Sequence, residues 1–269
     1  MNRMNKMLIV SIVIIVVIII GVAAYFSLGL SETTKSDVEN IKKRGKLVVG
    51  TSADFPPFEF VDEKTNEIIG FDIDIAKAIA DKLGVELEVK DIKFDALIPA
   101  LKNGEIDMII AGMTITEERA KVVDFSEPYF EADQAVLVKA GNVNIKSESD
   151  LANKKIGVQS GTTGELWVDE NLVKTGKVPE DNVKRYNKFI EAILALKKGD
   201  VDAVVIDKPV AEAYAKSEGD VKVAFIIKTG EQYGTAVRKG SDLLPIVNEV
   251  LKELKESGKL DQLLKKWFS

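Results

Sequence analysis

Polar residues stand near the ends of several predicted strands, where their chemistry can act together. Thr114 and Arg119 lie in AGMTITEER, directly after the apolar run that ends at Ala111. Arg119 falls in the first turn of a short helix that Thr116 can cap, and a helix N-terminus disfavours a cation unless an anion is near. The placement indicates a carboxylate site, in which a guanidinium and free N–H groups hold the anion. The alternative is a surface arginine that pairs with a neighbouring carboxylate.

A second set of polar residues offers complementary groups. The turn SGTTG, with Thr162 and Thr163, stands between a predicted strand and a predicted helix and presents further hydrogen-bond donors. Asp207 ends an apolar strand, where it can pair with an ammonium group. Its alternative role is to cap the helix that Pro209 opens, since proline suits a first helical turn.

Two aromatic residues complete the set. Phe55 and Phe94 each lie in a loop after a strand, a position that suits either the core or the wall of a ligand site. With the polar residues they offer an anion clamp, a cation partner and apolar walls. A zwitterionic amino acid needs these three things.

The composition excludes several classes of site. The 269 residues contain neither cysteine nor histidine, which excludes disulfides, thiol catalysis and cysteine-ligated metals and removes the commonest metal ligand. No GxSxG, GxxxxGK[ST] or strand-linked GxGxxG motif occurs, which argues against a serine hydrolase and against nucleotide binding. The net charge of −6 argues against nucleic acid. We therefore expect no cofactor, no metal ion and no nucleic-acid partner.

The elements that position these residues alternate between strand and helix. In the first unit, Asp72 is predicted to cap a helix over residues 73–83 that Gly84 closes. The alternation starts afresh near residue 150. It indicates mostly parallel α/β layers, and two units of similar design indicate two lobes. Open parallel sheets bind ligands outside the carboxyl ends of their strands, in the crevice where the polar residues stand.

The N-terminal segment, residues 1–30, is predicted to be a signal or membrane-anchor segment. Two basic residues precede 24 uncharged residues from Met7 to Leu30, and about 20 suffice to span a bilayer. The basic residues place the N-terminus in the cytoplasm and the rest outside. The length favours an uncleaved anchor, and a cleaved signal peptide is the alternative. Residues 31–45 are predicted to form a polar tether, and the remainder is expected to be extracytoplasmic.

A series of motifs runs in order along residues 45–269. They are KLVVGTSADFPPFEF, GFDIDIAKAIADKLG, FDALIPALKNGEIDMIIAGMTITEER, DFSEPYF, KIGVQSGTTGE, VDAVVIDKP, QYGTAVRKGS and LLKKWF. They resemble the motifs of extracellular solute-binding protein family 3, the polar amino-acid receptors of ABC importers. The resemblance implies a periplasmic binding protein type II fold with two α/β lobes joined by two hinge strands. By the same resemblance, lobe 1 comprises residues 46–131 plus 233–269, and lobe 2 comprises residues 132–232.

The resemblance also assigns roles at the two charged ends of an amino acid. Arg119 would bind the α-carboxylate, helped by the backbone N–H groups of Thr114 and Thr163. Asp207 would bind the α-ammonium, helped by the Gly112 carbonyl and the Thr114 hydroxyl.

By resemblance, Ser52, Gln159 and Ile206 face the ligand side chain, which the two phenylalanines would sandwich. Other family members often carry charged or polar residues at these three positions. Ser52 and Gln159 form hydrogen bonds without carrying charge, so a neutral polar ligand such as glutamine is the first expectation. Arginine or lysine is the second, since Asp54 or Glu59 would supply a negative charge.

The expected partners are the free amino acid, the membrane subunits of an ABC transporter and the membrane itself through the N-terminal segment. A monomer is expected, and the expected activity is binding without catalysis. The alternative is a cyclohexadienyl or prephenate dehydratase on the same scaffold. Such an enzyme would need a carboxyl group such as Asp207 or Glu165 as its general acid.

Overall fold

The computed structural model describes residues 36–269. The predicted signal or anchor segment, residues 1–30, lies outside the described residues, as does the first part of the predicted tether. From Asp37 onward the tether is a helix, α1 (Asp37–Arg44), whose Ile41 side chain is fully buried. Asp37 also pairs with Arg238 at 2.6 Å, so this helix is part of the folded body. Within residues 36–269, no helix has the length and apolar character needed to cross a membrane.

Strands and helices alternate along the described chain. The other helices are α2 (Phe71–Leu83), α3 (Leu97–Lys102), α4 (Glu117–Ala120), α5 (Thr163–Val168), α6 (Phe189–Lys198), α7 (Lys208–Glu218), α8 (Leu244–Glu256) and α9 (Lys259–Phe268). The strands are β1 (Lys46–Thr51), β2 (Asp54–Phe55), β3 (Glu59–Val61), β4 (Ile68–Ile69), β5 (Glu86–Asp91), β6 (Met108–Ile109), β7 (Val123–Phe125), β8 (Phe130–Lys139), β9 (Ile156–Gln159), β10 (Val183–Tyr186), β11 (Ala203–Asp207), β12 (Val221–Tyr233) and β13 (Ala236–Arg238).

The first lobe is built on a sheet with the strand order β5-β1-β6-β13-β7. β1 runs parallel to β5 and β6, whereas β13 runs antiparallel to β6 and β7. A small antiparallel sheet, β2-β3-β4, follows β1 in the chain. The carboxyl ends of the parallel strands β1 and β6 lead to Ser52 and Ala111, so both segments reach the same edge of the sheet.

The second lobe is built on a sheet with the strand order β10-β9-β11-β8-β12. β9 runs parallel to β10 and β11, whereas β8 runs antiparallel to β11 and β12. Gln159 and Asp207 are the last residues of β9 and β11. The two sheets confirm the predicted α/β organisation in two lobes.

Two long strands carry the chain between the lobes. The chain leaves the first sheet after β7, enters the second with β8, and returns from β12 to β13. β8 and β12 pair along their lengths, with a register shift between Ile227 and Glu231. At the crossing, Phe130 and Tyr233 stack with ring centroids 5.7 Å apart, and Phe58 packs edge-on against both. The crossing is therefore held by a buried aromatic cluster. The exact residue boundaries of the lobes stay predictions.

The helix α2 shows how the local sequence determines an element. Ile75 and Ile79 recur at helical spacing and are fully buried. Gly84 ends the helix in the left-handed conformation (φ 72°), and its N–H donates to a carbonyl of the last turn. The predicted cap is wrong, because Gly70 occupies the N-cap position. Asp72 lies inside the first turn, where it is fully buried.

Candidate functional site

All the residues predicted for the site line one cavity between the two lobes, except Ile206, which is fully buried in β11. The first lobe contributes the segments after β1 and β6 together with α4, and the second contributes the ends of β9 and β11 and the start of α5. The predicted residues on the lining are Ser52, Phe55, Phe94, Gly112, Thr114, Arg119, Gln159, Thr162, Thr163 and Asp207. Glu59, Ala111 and Phe189 also line the cavity.

Arg119 supplies a buried cation to the cavity. The hydroxyl of Thr116 accepts from the Arg119 backbone N–H at 3.2 Å and caps α4, as the sequence predicts. The guanidinium donates to the carbonyl of Thr114 at 2.7 Å and, across the lobes, to the carbonyl of Gly161 at 2.9 Å. Burial lowers the pKa of Arg119 below its usual value. Within residues 36–269 the guanidinium forms no salt bridge, so this cation can accept a carboxylate from a ligand.

Asp207 supplies a buried carboxyl from the other lobe. It occupies the N-cap position of α7, but its side chain makes no capping hydrogen bond. Instead one carboxyl oxygen accepts from the hydroxyl of Tyr233 at 2.6 Å. Burial, together with the smaller effect of the Glu231 charge, raises the pKa of Asp207 to about 7, against the lowering effect of the Tyr233 hydrogen bond. A buried carboxyl with a raised pKa becomes a stable carboxylate once a cation is bound beside it.

Glu231 joins the two lobes through hydroxyl groups and was not predicted. One of its oxygens accepts from Thr114 of the first lobe at 2.7 Å and from Thr163 of the second at 2.6 Å. Its other oxygen accepts from the amide of Gln134 at 3.2 Å. Glu231 lies on β12 beyond the register shift, so a strand that crosses between the lobes carries the carboxylate that holds both hydroxyls.

Ser52 and Gln159 meet across the cavity. The side-chain amide of Gln159 donates to the Ser52 hydroxyl at 3.4 Å and to the carbonyl of Asn187 at 3.0 Å. Thr162 lies beside them, but its hydroxyl donates to the Gln159 carbonyl and accepts from the backbone N–H of Glu165. Thr162 thus caps α5, and its hydroxyl already has both a donor and an acceptor as partners.

Glu59 places a second carboxyl on the lining. Its side chain is 0 % exposed, and neither oxygen has a hydrogen-bond donor within the described chain. Burial raises its pKa well above the usual value, and the nearby charges of Asp72 and Asp54 add to the effect. Asp72, whose pKa burial raises to about 6, accepts from the Gly112 N–H and from the Tyr129 hydroxyl, both at 2.8 Å. Glu59 is therefore a buried carboxyl with a raised pKa that lies within hydrogen-bonding reach of the Asp72 carboxyl and forms no salt bridge within residues 36–269.

Aromatic rings close two sides of the cavity. Phe55 of the first lobe stacks on Phe189 of the second, with ring centroids 5.5 Å apart. Phe94 lies under the guanidinium of Arg119, whose central carbon is 5.3 Å from the ring centroid. The lobes thus contact each other through rings as well as through hydrogen bonds, so the structure is a closed form.

A family model matches residues 47–269, and it describes bacterial extracellular solute-binding proteins, family 3. The chain belongs to this family. Its fold is accordingly the periplasmic binding protein type II fold, with two α/β lobes joined by two hinge strands, as expected from the sequence.

Similar proteins include several arginine-binding members of the family. The arginine-binding extracellular protein ArtP of Bacillus subtilis (strain 168) is 38% identical, over 92% of this chain and 96% of its own length. The solved structure of holo ArgBP from T. maritima is 49% identical, with a TM-score of 0.77, covering 86% of this chain and 99% of that one. An ancestral arginine-binding protein solved with arginine is 53% identical, with a TM-score of 0.79, covering 84% and 99%. An ancestral arginine-binding protein solved with glutamine is 54% identical, with a TM-score of 0.78, covering 84% of this chain and 98% of that one.

Sequence reasoning missed several residues of the site in this solute-binding protein. Phe189 opens α6 immediately after a strand and a short loop, which is the same signal that selected Phe55 and Phe94. Glu231 precedes the motif QYGTAVRKGS by one residue, yet its role depends on the register shift in β12, which the local sequence does not reveal.

Proposed function

We propose that this protein captures one free amino acid between its lobes and presents it to the membrane subunits of an ABC importer outside the cytoplasm, with arginine as the preferred ligand. One observation carries the proposal: the Arg119 guanidinium and the Asp207 carboxyl, neither of which forms a salt bridge within residues 36–269, face one closed cavity from opposite lobes. The names of the similar proteins, which bind arginine or glutamine, support it.

The two ends of the amino acid match the two charged residues. A ligand carboxylate at Arg119 would neutralise a cation that now donates to two carbonyl oxygens and lies over the Phe94 ring. A ligand ammonium at Asp207 would lower the raised pKa of that carboxyl and keep it ionised. Because the residues come from different lobes, one molecule held by both stabilises the closed form.

The ligand side chain faces the acidic part of the lining. Once the zwitterion has engaged Arg119 and Asp207, Glu59 is the remaining titratable group on the cavity. A guanidinium beside Glu59 would give this unpartnered carboxyl a cation and a hydrogen-bond donor at once. The pairing of a ligand guanidinium with Glu59 outweighs the neutral character of Ser52 and Gln159, so arginine replaces glutamine as the proposed ligand. Glutamine stays second, because a protonated Glu59 can donate to an amide carbonyl.

A dehydratase on the same scaffold is less well supported. Glu165, one of its two candidate acids, is not on the cavity lining. Its carboxylate pairs with Arg185 at 2.5 Å and accepts from the Gly161 N–H at 2.6 Å. Only Asp207 would remain, and the hydroxyl of Tyr233 already holds it.

A thermal-shift screen of the full chain with the twenty common amino acids, followed by calorimetric titration, tests the proposal. A ligand that binds only the folded form raises the melting temperature, and the rise grows with the logarithm of its concentration relative to its Kd. Arginine should give the largest shift and glutamine a smaller one. Absence of a shift with every amino acid would contradict the proposed function, and a shift with glutamine alone would contradict the preference for arginine.

A further inference from the structure

A helix of the second lobe takes its N-terminal cap from the first lobe. α6 begins after Lys188, whose side chain makes no capping hydrogen bond. Glu191 folds back onto the N–H groups of Asn187 and Lys188. In the first turn of the helix, the N–H of Ile190 donates to a carboxyl oxygen of Asp54 at 3.2 Å, and the Phe189 N–H also faces this carboxyl. Asp54 therefore fills the role that a local Ser, Thr, Asn or Asp usually fills.

Asp54 is held firmly in this position. Its side chain is buried, and its second carboxyl oxygen accepts from the Ser52 hydroxyl at 3.1 Å. Its backbone carbonyl accepts from the Tyr214 hydroxyl of the second lobe at 2.9 Å. Asp54 is absent from the cavity lining, so it does not itself face the space for a ligand, although its hydrogen-bond donor Ser52 does.

Two further contacts between the lobes surround this cap. The Lys188 ammonium contacts both oxygens of Asp91 at 2.6 and 2.7 Å, and Phe55 stacks on Phe189. The positive end of α6 and the positive Lys188 together favour a carboxylate at this point. Separation of the lobes would break all these contacts at once and return the α6 N–H groups to water.

We propose that Asp54 is a positioning residue that caps α6 only when the lobes are closed, and so slows ligand release without touching the ligand. The inference rests on the proposed function, in which the lobes open and close around an amino acid. It separates two determinants of affinity: residues on the lining set which ligand binds, whereas Asp54 sets how long the closed form lasts.

Two substitutions at Asp54 separate capping from charge. Asparagine caps helices about as well as aspartate, whereas replacement by alanine removes the cap. We therefore expect Asp54→Ala to raise the dissociation rate of arginine about 3- to 10-fold, the range that loss of one cap implies, with an unchanged association rate. Asp54→Asn should stay within about 2-fold of wild type. Ser147→Ala, which removes a capping residue within the second lobe, is the matched control and should leave both rates unchanged.

Stopped-flow fluorescence on the full chain measures these rates, and circular dichroism confirms that each variant folds. An unchanged dissociation rate in Asp54→Ala would overturn the proposal. Equal losses in Asp54→Ala and Asp54→Asn would overturn it as well, because charge and not capping would then be responsible.

Amide exchange at Ile190, followed by NMR with saturating arginine, tests the cap in the closed form. There Asp54→Ala should accelerate exchange of this N–H while Asp54→Asn and Ser147→Ala do not, and in the ligand-free, open protein Asp54→Ala and wild type should exchange alike. Failure of every amino acid to bind the wild type would refute the proposed function. Unaltered exchange in Asp54→Ala under conditions where arginine does bind would refute the cap alone.

Discussion

Tyr233 donates its hydroxyl proton to Asp207 at 2.6 Å, which ties the cavity carboxyl to the strand that returns the chain to the first lobe. The bond favours the ionised carboxyl and lowers its pKa, but burial raises the pKa more strongly. The result, a pKa of about 7, places the titration of Asp207 near neutral pH.

Ligand affinity should therefore depend on pH through Asp207. The ligand ammonium pairs with the carboxylate, so affinity should be highest above pH 7 and should fall as the pH drops below 7, by up to about tenfold per unit. Calorimetric titration of arginine between pH 5.5 and 8.5 measures this. Asp207→Asn should bind more weakly throughout and lose most of the slope. An equally steep slope in that variant would assign the titration to another group.

The stability of the ligand-free protein should show the opposite trend. The folded-state pKa of Asp207 is raised above the unfolded value of 3.8, so protonation favours the folded form. This contribution is fully present below pH 3.8 and is lost as the pH rises through about 7. Melting temperatures measured between pH 4 and 8 should fall more for wild type than for Asp207→Asn. Saturating arginine should reduce the difference in slope, because it keeps the carboxylate paired.

Glu231 should shift the pH at which binding is lost. Its charge contributes to the raised pKa of Asp207, so Glu231→Gln should move the midpoint of the pH profile to lower pH while keeping an oxygen for the two threonine hydroxyls. Glu131→Gln, an exposed residue on the facing strand β8, is the control and should leave the midpoint in place. A midpoint that stays fixed in both variants would show that the Glu231 charge does not reach the site.

Glu59 should determine the choice between arginine and glutamine. Loss of a charge-assisted hydrogen bond costs about 1.5–3 kcal/mol, so Glu59→Gln should weaken arginine binding about 10- to 100-fold and change glutamine binding far less. Glu63→Gln, in the exposed turn of the β3–β4 hairpin, is the control. Equal losses for both ligands would remove Glu59 from the specificity argument.

Arg119 should be required for every amino acid ligand. Arg119→Ala leaves the ligand carboxylate unpaired in a buried cavity, at a cost of about 3–5 kcal/mol, so binding should fall below detection in calorimetric titration. Lys102→Ala, which removes an exposed cation from α3 of the same lobe, should bind normally. Retention of wild-type affinity in Arg119→Ala would contradict the carboxylate assignment.

The sequence predicts most of the elements because their signals are local. The spacing of Ile75 and Ile79, the cap at Thr116 and the left-handed Gly84 each depend on neighbouring residues. The sequence also predicts that the polar residues line one cavity, because parallel strands bring their carboxyl ends to the same edge of a sheet.

Features that depend on distant partners could not be predicted in this way. Aspartate is a common N-cap residue, so the local sequence predicts that Asp72 caps the helix. Asp72 is instead buried, and its hydrogen-bond donors are Gly112 and Tyr129, which lie far along the chain. The cap of α6 comes from Asp54, 136 residues earlier. The shared acceptor Glu231 requires a register shift that only the paired strand reveals.

The strand order of the first sheet has a consequence for biosynthesis. β13 lies between β6 and β7 in the sheet, yet in the sequence it follows the whole second lobe and is therefore synthesised after it. Since β13 joins the other two strands, the amino-terminal half of that sheet lacks its linking strand until residue 238 has been translated. The second lobe, one uninterrupted stretch, can assemble beforehand. The order in which the polypeptide is synthesised therefore differs from the order in which its two lobes can complete their sheets. The unpaired strand edges of the first lobe stay open to association until β13 is added.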